Sequence, residues 1–326
     1  MSTSRTVSII ICTRNRADSL RETLESVGRV RVPEDMPAEL LVVDNGSTDH
    51  TKEVVEQADL HNMPVRYVFE PQKGLSNARN RGIAESTGDI LLWTDDDVRV
   101  PEDWIEGMCR PILNGEADAV AGGVRLAPEL EREWMGEKDR GLFGELVRLE
   151  DYRENAGFLI GANMAFGRHV LAKVPQFDPF LGAGALGFME ETLFALQLEE
   201  AGFRILPKVS FAVEHNFDPE RLLRKSYLKS VIAHARSTAH VAYHWDHQEP
   251  SLRHVYRTAR HLVILGLFRI LFPWQWLRKE GVADWEARHT LGLAINAFLL
   301  CERGKTRRYA RRALTPFPAE QQASPE

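Results

Sequence analysis

Ile90-Leu91-Leu92-Trp93-Thr94-Asp95-Asp96-Asp97 is the stretch on which the reading of this chain turns. Its apolar run marks a buried strand. Three carboxylates at the end of that strand set a physical problem. Two unit charges ~4 Å apart repel by ~1 kcal/mol in water and ~4 kcal/mol near a protein surface. A bound divalent cation removes that cost and recruits phosphate oxygens. The triplet therefore predicts a Mg2+ or Mn2+ site that holds a diphosphate. The competing reading is a solvated acidic turn that caps the helix opened by Pro101.

The flanking sequence bears on that choice. Val7 to Cys12 and Leu40 to Val43 are short apolar runs and Val65 to Phe69 alternates, and all three predict strands. Arg16 to Val27, Thr51 to Ala58, Gly74 to Ser86 and Pro101 to Leu113 carry helical patterns, and Ala119 to Ala121 predicts a fifth strand. This alternation predicts an α/β fold, a mainly parallel sheet flanked by helices. In such sheets ligands lie beyond the carboxyl ends of the strands. Three polar loops fall there: Thr13-Arg14-Asn15, Asp44 to Thr48, and the triplet. That placement favours the cation reading. From Pro128 to Asn155 the chain is charged and irregular, which predicts an insertion facing an acceptor. Phe158 to Phe166 predicts a strand, Phe180 to Phe188 a glycine-rich loop, and Met189 to Ala201 a helix stopped by Gly202. Phe203 to Leu206 and Val209 to Val213 predict two short strands, and the chain beyond Asp218 reads as helical.

The 326 residues suffice for one large domain and an appendage. Cys12, Cys109 and Cys301 lie far apart, so neither zinc spacing nor a disulfide framework is predicted. The first residues run directly into a strand, so the expectation is no signal peptide and a reducing, cytoplasmic setting. Net charge is −6, yet residues 221–312 hold 18 Lys+Arg against 6 Asp+Glu. Such asymmetry predicts an anionic partner: membrane lipid, a lipid-diphosphate acceptor or nucleic acid. No recognition module accompanies the charge, which argues against nucleic acid. Leu262 to Leu277 is nearly all apolar and shorter than the ~20 residues that span a bilayer. Arg253, Arg257 and Arg260 precede it on one helix face, and Trp274 and Trp276 close it. The pattern predicts an in-plane helix on an anionic membrane surface. The alternative is packing against the catalytic domain or a second subunit.

In order and spacing, several stretches resemble glycosyltransferase family 2, which has the GT-A fold. They are Val7-Ser-Ile-Ile-Ile-Cys-Thr-Arg-Asn15, Val42-Val-Asp-Asn-Gly-Ser-Thr-Asp49, Gly74-Leu-Ser-Asn-Ala-Arg-Asn-Arg-Gly82 and Gly88-Asp-Ile-Leu-Leu-Trp-Thr-Asp-Asp-Asp97. Gly161-Ala-Asn-Met-Ala165 and Glu190-Glu-Thr-Leu-Phe194 continue the series. The resemblance implies a GT-A catalytic domain over residues 1–217, with a nucleotide-sugar half at about 5–125 and an acceptor half at about 126–217. Residues 218–326 would form a helical C-terminal region. The implied activity is metal-dependent, inverting transfer of a sugar to a hydroxyl of a lipid-linked or polysaccharide acceptor. The donor is a nucleoside-diphosphate sugar, with UDP favoured and Mn2+ or Mg2+ as cofactor. The start of the chain and the basic, apolar C-terminal stretch give the expected location, cytoplasmic and peripheral on the inner face of the cell membrane.

The residues suit those roles. Thr13 is short enough for a base and ribose to lie against the backbone, and Arg14 shares its loop. Asp44 can accept the imide N–H of a pyrimidine; the alternative makes it a turn former ahead of Gly46. Lys73 and Arg79 can approach the diphosphate, or be surface charge. Counted back from Pro101, Asp96 aligns with the family's metal ligand and Asp95 with its sugar or ribose contact, and Asp97 can replace either. Asn163 is either a sugar contact or a buried amide satisfied by backbone. His215 is either a further metal ligand or structural. An inverting transfer needs a carboxylate to take the acceptor hydroxyl proton. The family usually presents the Asp of a Glu-Asp pair at a helix start, and here the pair is Glu190-Glu191. Glu191 takes the role of base with one extra methylene; otherwise Glu190 serves, or both complement the helix dipole. Leu193 stands where the family often has another acid. Two other classes compete: a sugar nucleotidyltransferase, whose Arg-containing glycine-rich loop is missing after the first strand, and a degenerate sugar-nucleotide-binding subunit.

Overall fold

The computed structural model describes residues 5–148 and 159–309. Within them the chain folds as two compact units. The first comprises residues up to Arg132, then Gly136–Pro179 and Glu190–Phe217. The second comprises Glu133–Met135, Phe180–Met189 and the chain from Asp218 onward. The glycine-rich loop at Phe180–Met189 groups with the second unit.

The first unit is built on an eight-stranded sheet in the order β3-β2-β1-β4-β7-β6-β8-β5. β1 (Val7–Thr13), β2 (Ala38–Asp44), β3 (Val65–Phe69) and β4 (Ile90–Asp95) run parallel. The short β5 (Val98–Arg99), β6 (Ala119–Leu126), β7 (Met164–Gly167) and β8 (Ile205–His215) make the second half mixed. β7 is antiparallel to both β4 and β6, whereas β6 and β8 are parallel. The central strands bury Ile9, Ile11, Leu40, Val42 and Leu92 in one core with Trp104 and Met108. α1 (Ala17–Val27) packs there because Leu20, Leu24 and Val27 recur at helical spacing while Arg21 and Glu25 face water. α2 (Thr51–Glu56), α3 (Leu75–Glu85) and α4 (Trp104–Leu113) connect successive strands. After β6 comes the one-and-a-half-turn α5 (Glu137–Leu142), and α6 (Glu190–Glu200) precedes β8.

Two strand expectations need correction. The run from Phe158 becomes a strand only at Met164, and Gly161 to Asn163 form a turn closed by Asn163 N–H donating to the Ile160 carbonyl. Phe158 itself and residues 149–155 of the expected insertion lie outside the described residues. The two short strands after residue 203 are one strand, β8, whose register shifts opposite Gly122 and Gly123. A bulge of this kind kinks a strand without ending it, and it falls at residues 209–211, just past the Pro207-Lys208 break in the apolar pattern.

Register places the ligand end. Thr13 pairs with Asp44 on one side, and Cys12 pairs with Asp95 on the other. The carboxyl ends of β2, β1 and β4 therefore lie level, ~4.8 Å apart. The chain leaves β1 toward β2 and β3, then returns to β4 on the opposite flank. That reversal is the crevice where open α/β sheets take ligands.

The second unit is helical. α7 (Arg224–His244), α8 (Leu252–Leu271) and α9 (Asp284–Glu302) form it, with α9 packed against both others. Phe268 stacks on Trp285 at 4.1 Å, and His261 Nδ1 lies 2.8 Å from His289 Nδ1. Arg224 pairs with Glu286 through both guanidinium nitrogens.

Candidate active site

The three aspartates leave β4 with different partners. The Thr13 hydroxyl donates to Asp96 Oδ2 at 2.7 Å. Arg16 Nη1 donates to Asp96 Oδ1 at 2.9 Å and to Asp97 Oδ2 at 2.7 Å. Asp97 Oδ1 lies 3.3 Å from His215 Nε2. Asp95, the least buried of the three, has Oδ1 3.9 Å from Arg79 Nη2. β5 pairing with β8 sets Val98 against His215, and Asn216 N–H donates to the Asp97 carbonyl at 2.7 Å. Sheet geometry thus brings together two residues that lie 118 positions apart in the sequence.

Burial works against these charges. It pushes Asp96 up to about 6, with Arg16 pulling down and Asp97 adding to the rise. Asp95 is also raised, by burial first and with Arg79 opposing. Carboxylates held this way gain from a cation between them. The donor set suits a hard dication: carboxylate oxygens and one imidazole nitrogen. His215 Nδ1 donates to the Phe143 carbonyl at 2.9 Å, and that bond assigns the tautomer. The Nε2 lone pair then faces the Asp97 oxygen. Two facing lone pairs repel unless a proton or a cation lies between them. A carbonyl accepting from the other ring nitrogen is the usual support of a metal-bound histidine. The residues present therefore fit Mg2+ or Mn2+.

Arg79 is buried rather than a surface charge. Nη1 donates to Glu190 Oε1 at 2.8 Å and lies 3.7 Å from Glu191 Oε2, and the guanidinium sits 5.4 Å from the Phe177 ring. Gly161 makes room for it: a Cβ there would lie 1.9 Å from Arg79 Nη2. This close approach is a physical reason for glycine at the head of Gly161-Ala-Asn-Met-Ala165. Asn80, one residue on, exchanges two hydrogen bonds with the Phe177 backbone and holds α3 against that segment. Glu190 is 6% exposed at the side chain and Glu191 19%. Both open α6, where the helix dipole favours negative charge. Burial, then the neighbouring Glu190, drives Glu191 well above the usual carboxylate range.

The remaining sequence candidates divide. Asp44 is buried; Oδ1 accepts from Ser47 N–H and Oδ2 from the Tyr67 hydroxyl, each at 2.8 Å. It forms the turn and still has a lone pair on each oxygen. Asn15 adopts φ 53° and ties its loop to that turn by accepting from Thr48 N–H at 2.7 Å. Arg14 is half-buried in the same loop, and Lys73 is exposed ahead of α3. Asn163 is buried in the turn just ahead of β7. Its oxygen accepts from Trp104 Nε1, and its Nδ2 donates to the Gly123 and Phe211 carbonyls, each at 2.8 Å. Of the two roles open to it, that is the buried amide. Gly122 packs directly on it, since a Cβ there would lie 2.1 Å from Nδ2. Arg16 is the site residue that sequence reasoning missed. It lay at the start of a predicted helix, and nothing local tied it to carboxylates 80 residues away.

Comparison with known proteins places the chain in a family. Residues 8–174 match the family model described as glycosyl transferase family 2. A glucosyl-dolichyl phosphate glucuronosyltransferase of Haloferax volcanii is 29% identical over 188 residues, 54% of this chain and 57% of that protein. The succinoglycan biosynthesis protein ExoM of Rhizobium meliloti is 35% identical over 137 residues, 41% of this chain and 43% of that one. The chain spans about half the length of the curated relatives it matches. Among solved structures, the mannosyltransferase PcManGT of Pyrobaculum calidifontis, in complex with GDP-Man and Mn2+, superposes with a TM-score of 0.54 at 17% identity. That superposition covers 90% of this chain and 74% of the other. The likeness shows the GT-A fold, and the family match spans the first, second and fourth strands and the acidic triplet. On those grounds the chain belongs to glycosyl transferase family 2.

Proposed function

We propose that this protein is a metal-dependent, inverting glycosyltransferase that moves a sugar from a nucleoside-diphosphate donor to a hydroxyl of a lipid-linked or polysaccharide acceptor. The observation that carries the reading is the pairing of Asp97 with His215 beside Asp95, at the carboxyl ends of strands that also present Thr13 and Asp44. Asp97 and His215 would hold Mn2+ or Mg2+. This moves the ligand role from Asp96 to Asp97, because both Asp96 oxygens already accept from Thr13 and Arg16. When bound, the cation offsets charge on the leaving diphosphate. Asp44 accepts the imide N–H of a uracil base, which favours UDP. Lys73 and Arg14 flank the donor loop.

Glu191 is the base. Glu190 is committed to Arg79 at 2.8 Å, whereas Glu191 is the more exposed of the two and lies 3.7 Å from that guanidinium. Arg79 fixes both carboxylates and Asp95, which joins the donor end of the site to the base. Two relatives support the acceptor class, one named for a glucosyl-dolichyl phosphate substrate and one for succinoglycan biosynthesis. A role in cell-envelope polysaccharide assembly fits both. A thermal-shift screen of UDP-, GDP- and dTDP-sugars with Mn2+ tests the donor, since a ligand of the folded state raises apparent stability according to its concentration over Kd. The expected result is a Mn2+-dependent rise for UDP-sugars. A rise for GDP-sugars alone would keep the transferase and refute the uridine preference.

The protein works peripherally on the inner face of the membrane. Among the described residues no helix is long and apolar enough to cross a bilayer. Yet α8 is apolar on two sides. His261 and Phe268 face α9, while Leu252, Tyr256, Val263, Leu267 and Ile270 are exposed on the opposite side. At 100° per residue, exposed Arg253, Arg257 and Arg260 line one edge of that outer stripe, and Arg269 lines the other. Exposed Trp274 and Leu277 extend the apolar surface. Anionic lipid attracts such residues by ~1 kcal/mol each. The protein should sediment with phosphatidylglycerol vesicles, less so at high salt, and a Leu267→Glu/Ile270→Glu variant should stay in the supernatant. Equal sedimentation of variant and parent would refute the surface.

A further inference from the structure

We propose that Arg16 is a built-in counter-ion that holds the acidic cluster before the cation arrives, and so makes cation binding depend on nucleotide. The proposal rests on the reading of Asp97 as a cation ligand. Asp96 and Asp97 are 6% and 4% exposed at their side chains, and a single nitrogen, Arg16 Nη1, bridges them at 2.9 and 2.7 Å. Arg16 itself is 40% exposed, so it reaches into the cluster from the solvent side. It stands at the residue before α1, with φ −140° and ψ 40°, outside the helix it precedes. The Ser19 hydroxyl anchors the same helix to the Asp96 carbonyl at 2.8 Å.

The consequence is a competition. A dication approaching Asp97 meets a guanidinium already bonded to that carboxylate. It must detach Arg16 from Asp97 or endure its repulsion at short range. A diphosphate arriving with the cation changes the balance, because it offers the displaced guanidinium a new anionic partner in a forked geometry. Asp96, still held by Thr13, keeps Arg16 close to both positions. Cation and nucleotide therefore bind with positive coupling, and the coupling is reciprocal.

The test measures Mn2+ binding to the full chain by the electron paramagnetic resonance signal of free Mn2+, alone and with UDP or GDP, and needs no turnover. The parent protein should bind Mn2+ weakly alone and at least ~10-fold more tightly with a nucleotide. Arg16→Gln should bind Mn2+ alone at least ~10-fold more tightly than the parent and lose most of the nucleotide increment. Arg16→Lys keeps the charge and should keep the nucleotide dependence. If Arg16→Gln and the parent hold Mn2+ alone equally well, the counter-ion role is wrong while the cation site stands. If Arg16→Lys behaves as the Gln variant does, charge is not the cause and the proposal is overturned. If no protein holds Mn2+ with either nucleotide, the cation site fails and the proposal with it.

Discussion

Glu191→Gln lowers kcat by ~10²–10⁴-fold at saturating donor and acceptor, with KM for the donor little changed, because it removes a general base and no donor contact. The substitution keeps the size of the side chain and abolishes its basicity. Its pH signature is specific. Burial and Glu190 raise the Glu191 pKa well above the usual carboxylate range, so the base is protonated below that raised value. The rate of the parent enzyme should rise with pH across that raised value, and the residual rate of the variant should lack this limb. Stability moves the other way. A raised carboxyl pKa contributes stability that is fully present below the unfolded pKa and is lost as pH rises through the folded one. Above the raised value the parent therefore carries the cost of ionised Glu191, and there the variant should be equally or more stable in urea. A variant that is inactive and unstable would point to a structural role.

Arg79→Met destabilises the catalytic unit by ~3–5 kcal/mol, the usual cost of leaving one member of a buried ion pair alone. Glu190 loses the partner at 2.8 Å, and Glu191 and Asp95 lose their nearest positive charge. Against a typical total of ~5–15 kcal/mol, that loss is large. Arg79→Lys should recover only part of it, since a single ammonium cannot reach three carboxylates and lie beside the Phe177 ring. Gly161→Ala should behave like the Met variant, because the added methyl would occupy the guanidinium's place. Urea midpoints of the three variants check this. Midpoints equal to the parent's would remove Arg79 from the account of how the carboxylates are held.

Much of this was legible in the sequence, for local reasons. β3 was read at its observed bounds from its alternation, and β1, β2 and β4 within two residues from short apolar runs bounded by turn residues. The α/β alternation and the parallel half of the sheet follow from them. The mixed half was less legible. β7 is four residues long, and β8 carries Pro207-Lys208 and then a bulge. Pairing direction there depends on contacts far apart in the chain, which periodicity does not encode. The same limit applied at the site. The triplet announced itself through charge density, but its division of labour did not. Asp96 meets Thr13 and Arg16, and Asp97 meets His215, only because β1, β4 and β8 converge. Lys73 and Arg79 looked alike on one helix, yet one is exposed and the other is buried among three acids. Asn163 offered two readings, and its contacts match the buried amide.

Titration calorimetry of a UDP-sugar in Mn2+ and in EDTA, on the parent protein and on Asp97→Asn, tests the central claim that the cluster beyond the fourth strand grips a cation that grips a diphosphate. The expected result is binding at least ~10-fold tighter with Mn2+ in the parent, and no metal increment in the variant. Equal affinity in Mn2+ and EDTA for the parent, or an undiminished increment in Asp97→Asn, would contradict it.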